Sequence, residues 1–137
     1  TEVFATVLKN LGTKKALVVH GSDGMDEITL CEETRVTELL NDRIKTYNLN
    51  PREFFERTYH REEFRGGKPE TNAQIIRDIL AGKLGAPRDI VLINAAAALL
   101  VGGKVGNINE GIELAKEIID SGQAKKKLKD LIEISNS

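Results

Sequence analysis

The sequence contains little cysteine, few aromatic residues and no excess of either charge. Cys31 is its only cysteine, which excludes a disulfide framework and a cysteine-based zinc site within the chain and is typical of a reducing compartment. With no tryptophan, two tyrosines and four phenylalanines, the chain offers few rings on which nucleic-acid bases could stack. Twenty basic and 21 acidic residues give a net charge of −1, which provides no electrostatic footprint for nucleic acid or an anionic membrane.

Long apolar runs and targeting signals are also missing. No apolar run reaches the roughly 18 residues of a membrane-spanning helix, and no basic and then apolar signal peptide opens the chain. We therefore expect a cytoplasmic protein that binds neither membrane nor nucleic acid. Its 137 residues, 40% of them apolar, suit one domain with a hydrophobic core. Because the chain starts at Thr1 with residues typical of a helix, we also expect a fragment or a processed chain.

The first part of the sequence predicts one helix followed by strands. Apolar residues at helical spacing predict a helix that ends at Gly12. Residues 15–20 are predicted to form a strand, and Ala16–Val19 within it are apolar on both faces, as in a central parallel strand covered by helices on both sides. An antiparallel meander of short strands is then predicted at residues 28–31, 35–40 and 43–49.

The rest of the sequence predicts mainly helices. A short helix is expected at residues 51–55, and a loop at residues 57–69. The segment RDIVLINAAAALLVGGK is apolar nearly all round, and its length favours a buried helix over the strand that its IVLI start allows. Amphipathic helices are predicted on both sides of this segment, at residues 70–84 (ended by Gly85 or Pro87), 109–121, and 124–134 with Leu128, Leu131 and Ile132 facing inward.

Three acidic residues lie close together in the stretch VVHGSDGMDEIT, just after the first predicted strand. In open α/β sheets ligands bind beyond the carboxyl ends of strands, and Asp26 and Glu27 lie about six residues past such an end. Adjacent carboxylates suit Mg²⁺, which takes one or two protein carboxylates and fills its other positions with water and phosphate oxygens. The alternative is a solvated turn, since Asp and Gly both satisfy turn geometry. Spacing alone leaves both interpretations open.

Two further polar residues have two interpretations each. His20 at the end of the predicted strand is expected to be a strand-end hydrogen-bonding residue, with a ligand-orienting role as the alternative. Asn94 begins the alanine run of the buried helix and must find a hydrogen-bond partner there. We expect it to tie this helix to a loop, with a direct substrate contact as the alternative.

Three blocks, in order, resemble the C-terminal part of the anthranilate phosphoribosyltransferase family. They are VFATVLKNLGTKKALVVHGSDGMDEITL, NAQIIRDILAGKLGAPRDIVLINAAAALLVGGK and GIELAKEIIDSGQAKKKL, and together they cover almost the whole chain. The resemblance implies transfer of the phosphoribosyl group of phosphoribosyl pyrophosphate (PRPP) to anthranilate in tryptophan biosynthesis, with Mg²⁺ as the cofactor. It also implies that Asp26 and Glu27 are the metal ligands, while Asp23 is left as a turn former. No other catalytic or cofactor-binding residue is carried over.

The family's remaining motifs are absent from these residues. Its glycine-rich PRPP loop, its Lys-His-Gly-Asn-type segment and its anthranilate-contacting arginine all lie upstream of the matching blocks. The resemblance therefore implies that residues 1–137 are the C-terminal portion of the family's large α/β domain, with an edge β-meander and a C-terminal helical layer. The sheet is then incomplete without upstream residues, the N-terminal part of the enzyme is a partner, and the isolated chain is inactive. A homodimer is left open.

Two other functions compete with this interpretation. One is a relative of similar architecture such as a nucleoside phosphorylase, and the other is a non-catalytic interaction module. The paired carboxylates together with the NAAAAL segment favour the transferase, because a phosphorylase needs phosphate-binding Lys and Ser groups rather than a paired-carboxylate Mg²⁺ site.

Overall fold

The computed structural model describes residues 1–136, which form a three-stranded sheet and a layer of helices. In chain order the elements are α1 (Glu2–Asn10), β1 (Lys15–Gly21), β2 (Thr34–Leu40), β3 (Arg43–Leu49), α2 (Pro69–Leu80), α3 (Ala86–Val101), α4 (Ile108–Asp120) and α5 (Gln123–Ser135). Two short 3₁₀ helices, Pro51–Glu53 and Arg61–Phe64, lie between β3 and α2. Within this described part, no helix is both long enough and apolar enough to span a bilayer.

The sheet is an antiparallel meander in the order β1-β2-β3. Asn41 and Asp42 close the β2–β3 turn with φ values of 46° and 67°, the left-handed values that a two-residue hairpin turn requires. Alternation along β2 separates two environments. Val36 belongs to the hydrophobic core that the sheet shares with α3, whereas the hydroxyl of Thr37 bonds that of Thr1 at the start of α1 (2.7 Å). The sheet therefore lies between α1 on one face and α3 on the other.

Two strand predictions need correction. The predicted parallel strand at residues 15–20 is present as β1, but its partner β2 runs antiparallel to it. Most side chains of β1 are only half buried, rather than covered on both faces. The predicted strand at residues 28–31 is irregular. Ile28, Thr29 and Leu30 are all at most 3% exposed, so their side chains do not alternate between two faces as strand residues do. Side chains rather than a neighbouring strand satisfy the backbone there.

Three helix predictions also need correction. The helix expected at residues 51–55 is the shorter 3₁₀ helix Pro51–Glu53. Helix α2 ends at Leu80 rather than 84, because Gly82 already has a left-handed φ of 85° and the chain turns there. Helix α5 has no buried residue, and Leu131 is 61% exposed instead of facing inward. It lies at the margin of the described structure, where it contacts α2 and α4.

The apolar segment RDIVLINAAAALLVGGK, whose length favours a buried helix over a strand, forms helix α3 at the centre of the helical layer. It contacts α2, α4, β1 and the second 3₁₀ helix. Leu92, Ile93 and Ala96 of α3 are at most 1% exposed. Arg88, 5% exposed, donates to the carbonyl of Gly82 (2.7 Å) and to the Asp120 carboxylate (2.8 Å). This arginine therefore joins the end of α2 to the end of α4 across α3.

Helices α3 and α4 are in close contact where Gly111 faces Ala96. A β-carbon added at Gly111 would lie 2.7 Å from the Ala96 Cβ and 2.9 Å from its carbonyl oxygen. Since backbone atoms cannot yield without moving a helix, we predict that Gly111→Ala lowers the free energy of unfolding by about 1–3 kcal/mol. Chemical denaturation of the protein measures this change.

Gly106→Ala is the matched control for this prediction. The nearest atom to an added methyl there is a carboxylate oxygen of Glu110, at 3.2 Å. This exposed side chain accepts from the Gly106 N–H (2.7 Å), but it has to shift by only a few tenths of an ångström and no backbone has to move. We expect a much smaller loss of stability for Gly106→Ala. Equal losses in the two variants would contradict the close helix contact as the cause.

Candidate functional site

The acidic residues lie in the irregular segment between β1 and β2, here called the acidic loop (residues 22–33). Its first part is a tight turn in which the Gly21 N–H donates to the Met25 carbonyl (2.9 Å). The Asp23 carboxylate accepts from the Met25 N–H (3.2 Å) and from the Thr29 hydroxyl (2.6 Å). Asp23 is therefore a turn former that holds the two sides of the loop together.

Gly21 is required by this arrangement. A β-carbon there would lie 2.6 Å from an Asp23 carboxylate oxygen and 3.0 Å from the Thr29 methyl group. Both of these side chains are already held by the hydrogen bond between them, so neither moves away freely. The glycine at the end of β1 therefore allows the close packing of the acidic loop.

Asn94 fastens the second part of the acidic loop to α3. Its side-chain oxygen accepts from the Ile28 N–H (3.0 Å), and its side-chain nitrogen donates to the Ile28 carbonyl (2.9 Å) and to the Ile90 carbonyl (3.0 Å). The predicted tie between helix and loop is confirmed.

Two buried threonines complete the support of the loop, and the sequence analysis missed both. The Thr34 hydroxyl accepts from the Thr29 N–H, and the Thr29 hydroxyl accepts from the Cys31 N–H, both at 3.1 Å. Their signal in the sequence is a pair of threonines on either side of two acidic residues, which is too common to predict a role. Cys31 itself packs half buried against the core, and burial raises the pKa of its thiol.

Asp26 and Glu27 are the two residues between the supported parts of the loop. Asp26 is exposed and Glu27 is half buried. Burial, and secondarily the charge of Asp26, raises the pKa of the Glu27 carboxyl above its ordinary value. Asp26 and Glu27 thus offer carboxylate oxygens on successive residues, and burial makes the negative charge of Glu27 unfavourable. Hard oxygen donors of this kind fit a divalent cation such as Mg²⁺.

The donor set is limited to these two carboxylates. No group of three or more His, Cys, Asp or Glu side chains able to hold a metal occurs among residues 1–136. This agrees with Mg²⁺, which commonly keeps one or two protein ligands and takes its remaining ligands from water and phosphate groups. His20 is exposed at the end of β1, and its ligand-orienting alternative stays a prediction.

A second loop, residues 57–67, borders the acidic loop. Its Tyr59 is 4% exposed and donates a hydrogen bond to the Asp89 carboxylate on α3 (2.9 Å). Arg61 reaches the Asp23 carbonyl (3.5 Å). The two loops and helices α2 and α3 line an open cleft of about 330 Å³, whose walls include Glu27, Arg65 and apolar side chains of both helices. Sequence reasoning missed Tyr59, because its partner lies 30 residues away and no local pattern links the two.

Comparison with known proteins places this geometry in a family. The pattern of the "Glycosyl transferase family, a/b domain" matches residues 1–125. Over 138 residues the chain is 49% identical to the anthranilate phosphoribosyltransferase of Desulfosudis oleivorans, covering 100% of this chain and 41% of that protein. The chain spans about 40% of the length of the curated relatives it matches.

Solved structures are also similar to the fold. The anthranilate phosphoribosyltransferase of Thermus thermophilus superposes with a TM-score of 0.85 at 35% identity, covering 97% of this chain and 39% of that one. The Saccharomyces cerevisiae enzyme in complex with PRPP and Mg gives a TM-score of 0.80 at 28% identity, over 92% of this chain and 37% of the other. The match to only part of each structure agrees with an incomplete α/β domain.

The charges of the acidic pair give a prediction on titration. We expect Asp26→Asn to lower the pKa of Glu27, because it removes a neighbouring negative charge, but to leave it above the ordinary 4.5, because burial is the larger cause. Carbon-13 titration of the Glu27 carboxyl measures both effects. An unchanged pKa in Asp26→Asn would show that the two carboxylates do not interact.

The same pKa shift has a consequence for stability. Because the folded protein holds the Glu27 proton more tightly than the unfolded chain, Glu27 reduces stability as pH rises from the ordinary glutamate range through its raised folded pKa. Glu27→Gln should remove this loss and leave stability below that range unaffected by the titration. The comparison requires unfolding curves of both proteins across the same pH series without added metal.

Proposed function

Because the chain belongs to the glycosyl transferase family and corresponds to the C-terminal part of anthranilate phosphoribosyltransferase, we propose that it takes part in phosphoribosyl transfer from PRPP to anthranilate. This reaction serves tryptophan biosynthesis. Within the enzyme, the chain contributes the two carboxylates, Asp26 and Glu27, that hold Mg²⁺ on the pyrophosphate group of PRPP. The observation that carries the proposal is the adjacency of these carboxylates on a loop supported at both ends.

The electrostatics of the acidic pair support a metal role. The exposed carboxylate of Asp26 and the half-buried carboxylate of Glu27 repel each other. The pKa of Glu27 is raised by burial first and by this repulsion second. A bound cation removes the repulsion, so binding is favoured by more than simple attraction to either oxygen. When bound, Mg²⁺ neutralises charge on the pyrophosphate leaving group and fixes its orientation.

The chain's own residues bind and position rather than transfer protons. The anthranilate amine nitrogen forms the new bond to C1′ of the ribose while the bond from C1′ to pyrophosphate oxygen breaks. Asp26 and Glu27 fix one end of the PRPP–metal complex relative to that bond, which lowers the entropic cost of reaching the reactive geometry. No residue of this chain is assigned as a base for the amine proton.

The competing functions differ in what they require of the site. A phosphorylase needs no paired carboxylates, and the relatives compared above are phosphoribosyltransferases by name. An interaction module needs the fold but no metal. The expected partners are PRPP, anthranilate and the N-terminal part of the enzyme, in the cytoplasm, and a homodimer stays a prediction.

Removing both carboxylates in the full-length enzyme tests the metal assignment. We predict that Asp26→Asn combined with Glu27→Gln lowers Mg²⁺-dependent turnover by about 100-fold or more, since metal stabilisation of a leaving group is worth several kcal/mol. Stability should change little, because Asp26 is exposed and Glu27 is only half buried. Steady-state kinetics across a Mg²⁺ series provide the measurement.

Glu32→Gln is the control, because Glu32 is an exposed carboxylate of the same loop outside the pair. It should leave the Mg²⁺ response unchanged. Unaltered turnover and Mg²⁺ dependence in the double variant would overturn the metal assignment.

The isolated chain should be inactive, because two carboxylates do not bind and orient both substrates. Mixing it with a separately produced N-terminal part should restore formation of phosphoribosylanthranilate, which an assay of that product detects. A well-folded complex of the two parts without any activity would favour the interaction module. Activity of the isolated chain would contradict the division of the site between the two parts.

A further inference from the structure

Asn94 is the only side chain of α3 that binds the backbone of the acidic loop in the described part of the chain, and it does so at two points. Its amide accepts from the Ile28 N–H (3.0 Å) and donates to the Ile28 carbonyl (2.9 Å). A third hydrogen bond, to the Ile90 carbonyl one helical turn earlier (3.0 Å), fixes the direction of the amide. The Asn94 amide therefore satisfies both backbone groups of Ile28, as the backbone of a neighbouring strand would do.

The position of this contact in the chain gives it a specific consequence. The Ile28 N–H belongs to the peptide plane that begins at the carbonyl of Glu27, so holding this N–H restricts the backbone of Glu27. The Ile28 side chain is 1% exposed and anchors the same residue in the core. The peptide plane between Glu27 and Ile28 therefore cannot rotate without breaking the bond from the Ile28 N–H to Asn94. The next plane is held by the bond from Asn94 to the Ile28 carbonyl, so the backbone on both sides of Ile28 is fixed.

The other end of the acidic pair is held independently. Asp23 accepts from the Met25 N–H, and the Gly21 N–H donates to the Met25 carbonyl. Met25 directly precedes Asp26. The two carboxylate-bearing residues therefore span the short distance between a backbone fixed by Asp23 and a backbone fixed by Asn94.

We propose that Asn94 is a positioning residue for the acidic pair, acting through the backbone of Ile28 and without contact to the metal. The inference rests on the proposed function, because it assigns Asn94 a role in the affinity of the Asp26–Glu27 site for Mg²⁺. Residues that orient metal ligands typically change metal affinity or activity by about 10–100-fold when they are replaced.

The chemistry of the amide explains why asparagine stands at this position. Ile28 presents one donor and one acceptor, and a single side chain must match both. A carboxylate accepts but cannot donate, and would add a third negative charge near Glu27. An aliphatic residue of similar size would leave both backbone groups of Ile28 without their side-chain partner, at a residue whose own side chain is 1% exposed.

The test uses the full-length enzyme, with Mg²⁺ affinity measured directly by isothermal titration calorimetry in the presence of PRPP and also from the Mg²⁺ concentration that gives half-maximal turnover. Asn94→Ala should raise this concentration about tenfold or more, and saturating Mg²⁺ should recover a substantial part of the lost turnover. Thr37→Val is the control for general destabilisation. It removes buried hydroxyl contacts to Thr1 (2.7 Å) and Thr46 (3.0 Å) on the α1 side of the sheet, and should leave the Mg²⁺ response unchanged.

Loss of stability in Asn94→Ala with an unchanged Mg²⁺ response would overturn the inference and leave Asn94 a structural residue. If Asn94→Ala does not fold, Asn94→Ser decides by the same criterion, since its hydroxyl is too short to reach both backbone groups of Ile28. The double variant of Asp26 and Glu27, measured in parallel, separates the two proposals. If it leaves the Mg²⁺ response unchanged, the proposed function fails; if only Asn94 variants leave it unchanged, the positioning role fails.

Discussion

Helix α3 is apolar over almost its whole surface, and the need to keep it from water determines where the neighbouring elements lie. Burying each of its large aliphatic side chains contributes about 1.5–3 kcal/mol to the stability of the fold. The helix is therefore stable only where other elements cover most of its surface. Only three residues of α3 are strongly polar: Arg88, Asp89 and Asn94. Each of them ties a different element to the helix, respectively the ends of α2 and α4, the loop of Tyr59, and the acidic loop. The helix is therefore both the core of the domain and the frame of the candidate site.

The acidic loop shows how an irregular segment can be held as firmly as a strand. Its buried backbone groups are satisfied by the side chains of Asp23, Thr29, Thr34 and Asn94. Because side chains satisfy its backbone, the loop needs no pairing with a neighbouring strand, and its successive side chains need not alternate between two faces. It can therefore present two carboxylates in succession, Asp26 and Glu27. In the function that we propose, a divalent cation relieves the mutual repulsion of these carboxylates.

The Mg²⁺ site that we propose in this chain is one side of a larger site. The chain spans about 40% of the length of its curated relatives, and two carboxylates leave most of the coordination sphere of Mg²⁺ to other groups. The surface of α1 gives the same indication, because Val3, Phe4 and Leu11 are 80%, 63% and 77% exposed. An apolar helix face of this kind is unusual on a complete soluble domain and agrees with an incomplete α/β domain.

Periodicity and turn chemistry determined much of this structure from the sequence alone. The positions of β2 and β3, the Asn41–Asp42 turn and helices α3 and α4 follow from local preferences that neighbouring residues set. The three sequence blocks predicted the family, and the comparisons confirm it. The polar character of Asn94 in an apolar segment was enough to predict a tie between helix and loop, because a buried amide must be satisfied. The predictions that were wrong depended on the tertiary surroundings of the residues. Residues 28–31 have the composition of a strand, but side chains bind their backbone instead of a neighbouring strand. Leu131 has the spacing of a buried helix residue, but it is 61% exposed.

Only the tertiary structure decided which residues meet across long separations. Tyr59 and Asp89, Arg88 and Asp120, and Ile28 and Asn94 are separated by 30, 32 and 66 residues, and no local pattern encodes those distances. The sequence could therefore identify Asp26 and Glu27 as candidate ligands and Asn94 as a tie, but not that Ile28 is the residue that Asn94 binds or that Thr29 and Thr34 support the loop. The physical reason is that composition and spacing act over a few residues, whereas burial and hydrogen-bond partners are fixed when the whole chain packs around α3.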